Sequence, residues 1–291
     1  MKEGNGMRLA HHANAWGGVV GHPVGVTSVK DLFYLTPGDT LQVLHEVAGA
    51  GYEGVELFDG NLAEFADEPE VLRRALDDAG LTLVAVYSGA NFVFTEILAE
   101  ELWRVRKACE WASAVGAEHL VVGGGARRTE PATEADYARL AGALDEVASL
   151  ADGHGLVASF HPHLTTIVES PEDVERALSK SRIGFCPDTG HLQAGGGDPV
   201  QLVRDYRDRI PYVHLKDIDA QGTFVPLGDG VLDIDGVVAV LRETGYDGWI
   251  TVETDGWPGD PTEGARRSIA KLLGLLSRPP ASARARPDSG S

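Results

Sequence analysis

Ionisable side chains close four apolar runs in the second half of this 291-residue chain. The runs end in His161-Pro162-His163, Asp188-Thr189-Gly190-His191, His214-Leu215-Lys216-Asp217 and Glu253-Thr254-Asp255, and an earlier run carries Glu56 in Gly-Val-Glu-Leu-Phe. Carboxylates and imidazoles converging from neighbouring strands supply the oxygen and nitrogen donors that suit Mn²⁺, Co²⁺, Mg²⁺ or Zn²⁺. Burying several such groups together without a metal or a substrate costs heavily in desolvation. The chemistry this set supports is proton abstraction beside a carbonyl. A divalent ion polarises the carbonyl, and a neutral imidazole titrating near working pH takes the proton. With a leaving group β to that carbonyl, elimination follows; without one, reprotonation gives an isomer or epimer. Lys216 and His191 are candidates to supply the second proton or to orient hydroxyls.

These residues need a scaffold that gathers strand ends on one rim. Short β-rich runs at 9–14, 54–58, 82–88, 119–123, 156–161, 183–187, 212–216 and 249–254 alternate with helix-like stretches at 37–50, 68–79, 96–115, 134–154, 171–178, 199–206, 234–243 and 262–276. Helix signals recur: Ser170-Pro171-Glu172-Asp173 offers a capping hydroxyl, a proline in the first turn and early acids, and Asp198-Pro199 repeats the device. Gly51, Gly80, Gly116, Gly155 and Gly245 follow helical stretches and precede strands. Eight such units, with no Gly-x-Gly-x-x-Gly after an early strand, predict an α/β fold of one domain, a closed (β/α)₈ TIM barrel over residues 8–277. The flanking 1–7 and 278–291 read as disordered ends.

In such a barrel, chemistry sits at the C-terminal ends of the strands. The first run adds His11-His12-Ala13-Asn14-Ala15-Trp16, followed by an irregular 17–37 stretch that reads as a long loop over the mouth. Asn14, Glu56 and His191 are candidate substrate contacts. Trp16, Phe33, Tyr34 and Trp257 are candidates to stack on a sugar or an aromatic aglycone.

Composition excludes other classes. The balance of 44 acidic to 25 basic residues gives a formal charge of −19, which repels a phosphate backbone. No apolar run is long enough to span a membrane, and the N-terminus lacks a signal-peptide pattern, so a soluble cytoplasmic protein is expected. The two cysteines, Cys109 and Cys186, are too few for a disulfide framework and sit in apolar surroundings as small hydrophobes.

The strand-end motifs, together with Gly-Tyr-Glu-Gly-Val-Glu-Leu at 51–57, Leu-Gly-Asp-Gly at 227–230 and Val-Glu-Thr at 252–254, resemble the xylose-isomerase-like TIM barrels over about Arg8 to Leu276. That family includes sugar isomerases, ketose epimerases, inosose and dehydroshikimate dehydratases and endonuclease IV. The resemblance implies one divalent ion, Mn²⁺ in the first instance, held by Asp188, His214 and Glu253. The fourth ligand departs from the pattern, because many members carry Glu-x-His where this chain has His161-Pro162-His163. Either His161 ligates there or Glu169 reaches back over the rim. The preference here is Glu169, since three carboxylates and one imidazole make the harder site that Mn²⁺ favours, and His161, His163 and Lys216 then become the acid/base candidates.

The His-Pro-His variant resembles the inosose dehydratase branch and the large subunits of C-glycoside deglycosidases. It implies a lyase acting on a keto-sugar, 3-oxo-glycoside or keto-cyclitol, with isomerase or ketose 3-epimerase as the alternative. Implied partners are a small carbohydrate substrate and either a small β-sandwich subunit or a second copy of the chain. The acidity of the chain and the missing extra histidine ligands argue against the DNA-binding branch.

Overall fold

Valine-, leucine- and isoleucine-rich runs buried on both faces make the strands of a parallel sheet. In the computed structural model, which describes residues 7–16, 33–36 and 38–277, eight of them form one sheet. They are β1 (Arg8–His12), β2 (Gly54–Phe58), β3 (Thr82–Ala90), β4 (His119–Gly124), β5 (Val157–Phe160), β6 (Gly184–Phe185), β7 (Val213–Leu215) and, last in the chain, β10 (Trp249–Val252). Their order is β6-β5-β4-β3-β2-β1-β10-β7. A parallel bridge between Asp188 and His214 joins the two outermost strands and closes the ring.

The helices are α1 (Thr40–Ala50), α2 (Asp59–Ala63), α3 (Pro69–Ala79), α4 (Leu98–Val115), α5 (Glu134–Gly153), α6 (Pro171–Leu178), α7 (Thr189–Ala194), α8 (Pro199–Asp205), α9 (Ile234–Glu243) and α10 (Pro261–Leu276). The expected caps form. Ser170 and Asp173 exchange hydrogen bonds across the first turn of α6, and Asp198 accepts from Val200 and Gln201 at the start of α8. The larger core lies between sheet and helices. A smaller one fills the barrel with Ala10, Phe58, Val84, Ala85, Tyr87, Val121, Cys186, Tyr212 and Trp249. Gly54 is required there, since a Cβ would meet Val84 Cγ1 at 2.5 Å and the Trp249 ring at 2.9 Å.

The architecture is the one expected from the alternation, with shorter β5 and β6. His161 still donates its N–H to Val122 at 2.8 Å, but Pro162 and Pro187 have no N–H to extend the ladder. Short features not expected are α2, α7, a hairpin of β8 (Asp217–Ile218) with β9 (Phe224–Val225), and 3-10 turns at Ala13–Trp16, where the first strand stops at His12, and at Arg207–Arg209. Both cysteines are buried and unpaired; burial pushes the Cys109 thiol up to about 12 and Cys186 well above its ordinary range. The 17–32 part of the expected mouth loop, Pro37, and the ends 1–6 and 278–291 lie outside the described residues; Met7 is described and buried. Among the described residues no helix is long and apolar enough to cross a membrane.

Candidate metal centre

Asp188 follows β6 and caps α7: its Oδ1 accepts the N–H of His191 at 2.8 Å, which leaves Oδ2 to face His161, His214 and Lys216. The Asp-Thr-Gly-His spacing is thus a capping geometry that places both side chains in the mouth. His214 comes from the middle of β7, Glu253 follows β10, and His161 follows β5. Donor atoms of His161, Asp188, His214 and Glu253 all lie within 4.8 Å of one another, and all four residues are buried.

Glu56 fixes the orientation of His214. Its Oε2 lies 2.8 Å from His214 Nε2 and accepts from the Tyr212 hydroxyl at 2.7 Å. A carboxylate oxygen can only accept, so Nε2 carries the proton and Nδ1 faces the cluster. That Nδ1 is 2.9 Å from Glu253 Oε2 and 4.0 Å from Asp188 Oδ2. His161 Nε2 is 3.5 Å from the same Asp188 oxygen. These four facing atoms, His161 Nε2, Asp188 Oδ2, His214 Nδ1 and Glu253 Oε2, are buried and none makes a hydrogen bond of good geometry. Buried polar atoms are ordinarily satisfied. Two nitrogens and two oxygens that face one another from four strand ends, none with a well-formed hydrogen bond, fit a divalent cation.

The carboxylates that would share a cation also draw a proton onto His214, one that a cation at Nδ1 would replace. Burial alone would lower the His214 pKa, but the Glu56 and Glu253 carboxylates carry it up to about 10. Burial would raise Glu253; Lys216 and His214 instead hold it well below the carboxylate range. Burial pushes Asp188 up, and Lys216 pulls it partly back. The Lys216 ammonium lies 3.3 Å from Asp188 Oδ2 and 3.1 Å from Glu253 Oε2.

A second group adjoins the first. Lys216 Nζ also reaches Asp255 Oδ2 at 2.7 Å and His191 Nε2 at 2.9 Å, and the rings of His163 and His191 are 3.8 Å apart. Burial, then the Lys216 charge, lower the pKa of both His163 and His191, so both are neutral imidazoles near pH 7. His163 Nδ1 lies 2.8 Å from the Leu164 carbonyl, which can only accept. The Nδ1 proton is spent there, and the Nε2 lone pair is free to act as a base.

The structure therefore gathers His161, His163, Asp188, His191, His214, Lys216 and Glu253, and it gives the other candidates partners of their own. Glu169 is turned away: Arg127 pairs with it at 2.7 Å and the Thr165 N–H binds its other oxygen, which leaves the strand-five place to His161. Glu56 is fully buried beside His214, with one oxygen on that histidine. Asn14 is also occupied, its amide donating to Glu253 at 2.9 Å and to Asp255 at 2.7 Å. Trp16 is tied through its indole N–H to Glu46 and Thr262, between α1 and the start of α10. Phe33 packs on Trp111, and Tyr34 on Phe58 and Tyr87. Trp257 lines a small pocket with His11, Asn14 and Thr254.

Tyr212 donates to Glu56, and His12 of the first run, whose Nε2 is 3.7 Å from Glu56, flanks it; Tyr212 carries no signal beyond lying in an apolar run. Asp217, next to Lys216, serves the fold: it accepts from the backbone of Ile218, Gly228, Gly230 and Leu232, which accounts for the Leu-Gly-Asp-Gly motif as a cradle.

Comparison with known proteins agrees with this picture. The model of a family described as xylose isomerase-like TIM barrel matches residues 44–274. Inosose dehydratase of Geobacillus kaustophilus is 31% identical over 265 residues, 79% of this chain and 84% of that protein. Inosose dehydratase of Lacticaseibacillus casei is 27% identical over 273 residues, 82% of this chain and 90% of that one. Among solved structures, a 3-keto-D-glucoside 4-epimerase from E. coli superposes with a TM-score of 0.72 at 20% identity, covering 92% of this chain and 99% of its own. A D-psicose 3-epimerase superposes with a TM-score of 0.74 at 14% identity, over 94% and 100% of the two chains. At those identities the structural likeness speaks to fold.

Proposed function

This chain belongs to the xylose isomerase-like TIM barrel family, and from that premise we propose that it is a divalent-metal-dependent lyase acting on a small ketone-bearing carbohydrate. The substrate class is an inosose-like keto-cyclitol, a keto-sugar or a 3-oxo-glycoside, and the reaction is removal of a proton beside the carbonyl followed by β-elimination. The observation that carries the reading is the set of four buried donor atoms that face one another on His161, Asp188, His214 and Glu253, none in a hydrogen bond of good geometry, with a neutral imidazole next to it. The names of the curated relatives, inosose dehydratases, support the reaction class.

His161, Asp188, His214 and Glu253 hold the ion in this reading, with Mn²⁺, Co²⁺, Mg²⁺ and Zn²⁺ all compatible with the donor types. The chemistry supplied there is polarisation of a carbonyl and stabilisation of the charge that builds up as the neighbouring C–H bond breaks. His163 Nε2 takes that proton. The C–H electron pair becomes the new C=C bond, the β C–O bond breaks, and the Lys216 ammonium gives its proton to the departing oxygen. His191 and Asp255 hold Lys216 in place for that transfer, at 2.9 and 2.7 Å. Asn14 ties Asp255 to Glu253, so the acid and the metal centre share one support. The buried, unpaired thiols support a cytoplasmic setting. With a bulky glycoside as substrate, the β-sandwich subunit or second copy implied by the sequence resemblance is part of the same proposal.

The test is a screen of inososes, free ketoses and 3-oxo-glycosides with metal-stripped and metal-restored protein in deuterated water. Expected are a new enone absorbance or a released leaving group, inhibition by chelator, and recovery with Mn²⁺ or Co²⁺. Efficient interconversion of free ketoses, with no eliminated product from any substrate, would establish the epimerase reading instead.

A further inference from the structure

The expectation of Mn²⁺ rested on a set of three carboxylates, and the structure withholds the third. Glu169 Oε2 is 2.7 Å from Arg127, and its other oxygen takes the Thr165 N–H. His161 stands in the strand-five place and is fixed there. It is 1% exposed, its backbone N–H is bonded to β4 at 2.8 Å, and its ring meets His214 and Tyr87 edge-on with centroids 4.9 and 5.6 Å away. The facing donors are thus two imidazole nitrogens and two carboxylate oxygens, and the Lys216 ammonium lies within 3.3 Å of both carboxylates.

Carboxylates and water suit Mg²⁺ and Mn²⁺, which are held largely by charge, whereas imidazole gains affinity along the series from Mn²⁺ through Co²⁺ and Ni²⁺. Exchanging a carboxylate for an imidazole removes one negative charge, and the neighbouring ammonium offsets more of what remains. Both changes weaken the hold on hard ions. We infer that His161 is the selectivity determinant of the metal centre, making it a site for Co²⁺, Zn²⁺ or another imidazole-seeking first-row ion in preference to Mn²⁺ and Mg²⁺. This rests on the metal-centre reading given above.

Because the affinity series favours Co²⁺ over Mn²⁺ at almost any nitrogen–oxygen site, the informative quantity is the change in their ratio between variants. Full-length protein is stripped with chelator, dialysed against equimolar Co²⁺ and Mn²⁺, and analysed for metal content; the visible absorption of the Co²⁺ form is recorded beside it. Wild type is expected to take Co²⁺ over Mn²⁺. In His161→Glu that ratio should fall by about ten-fold or more, with a changed Co²⁺ spectrum. Glu169→Gln should keep both the wild-type ratio and the wild-type spectrum. An unchanged ratio and spectrum in His161→Glu overturns the inference. So does a changed spectrum in Glu169→Gln, or a wild type that takes Mn²⁺ as readily as Co²⁺; His161→Asp, a smaller carboxylate replacement with the same expected fall in ratio, decides the matter if His161→Glu does not fold. A wild type that retains no divalent ion of any kind defeats the metal-centre reading itself.

Discussion

Glu56 shows how far a single residue's role depends on which way its strand faces. It sits in the barrel interior with Tyr212 and His214 bonded to one oxygen, so its work is to fix a tautomer. Glu56→Gln keeps the shape but lets the amide donate, which no longer commits Nε2 to carry the proton. Metal affinity should fall by about 10–100-fold, measured by competition with a chromophoric chelator; unchanged affinity would remove Glu56 from the centre. Asp188→Ala or Glu253→Ala takes out a donor directly and should abolish metal retention by elemental analysis. His163→Asn, by contrast, should keep the ion and lower turnover by about 10²–10⁴-fold, the usual loss for a general base. Loss of metal in that variant would make His163 a ligand instead. The strand-end residues were legible because ionisable groups closing apolar runs are costly and so conspicuous. What the sequence could not supply was direction. Glu169 lies eight positions after His161, a span that permits the carboxylate to reach the rim, and only the fold reveals that Arg127 claims it. The partners of Asn14 are hidden in the same way, since nothing in its neighbours along the chain announces Glu253 and Asp255.

At the scale of elements, apolar runs located the eight barrel strands, even β6 and β7 with two and three residues, and amphipathic faces with caps located the eight principal helices. The features missed include α2, α7 and the β8–β9 hairpin, which are made by capping and turn contacts and stand outside those runs and faces. The start of α2 illustrates the physics. Asp59 follows β2 directly, accepts the Tyr34 N–H at 2.8 Å and the Ser88 hydroxyl at 2.7 Å, and so joins the residues before α1 to β2 and β3. Burial pushes its carboxyl up to about 6, against a partial opposing pull from Arg104. A folded-state pKa above the unfolded value means that the folded chain binds this proton more tightly. Its contribution to stability is fully present below about pH 4 and is lost as pH rises through about 6, a change of about 3 kcal/mol at 1.36 kcal/mol per unit. Asp59→Asn should remove that slope. The stability difference between wild type and variant, from urea unfolding at pH 4 and pH 7, should move against the wild type as pH rises, and a difference independent of pH would show that Asp59 titrates normally.

For the molecule as a whole, the barrel is unequally closed. Seven strand pairs are joined by ladders that span two or more residues, whereas β6 and β7 meet through a single bridge, Asp188 to His214, supported by the His214 N–H on the Pro187 carbonyl at 3.0 Å. Those two bridge residues are also two of the four donors of the proposed centre, and the other two, His161 and Glu253, follow the strands on either side, β5 and β10. An ion held there ties four consecutive strands across the weakest join in the sheet. Binding that favours the folded state stabilises it by mass action, by about 2.7 kcal/mol with free ion at about 100 times its Kd. The gain should be local as well as global, because the strands away from the seam already have their ladders. Removal of metal should therefore lower Tm and raise amide exchange chiefly in residues 184–192 and 212–218, with β2, β3 and β4 little changed. Hydrogen-exchange mass spectrometry of the stripped and reloaded protein makes the comparison. Exchange that rises evenly around the barrel, or protection at the seam that does not depend on the ion, would mean that the ring is closed by its side-chain packing alone.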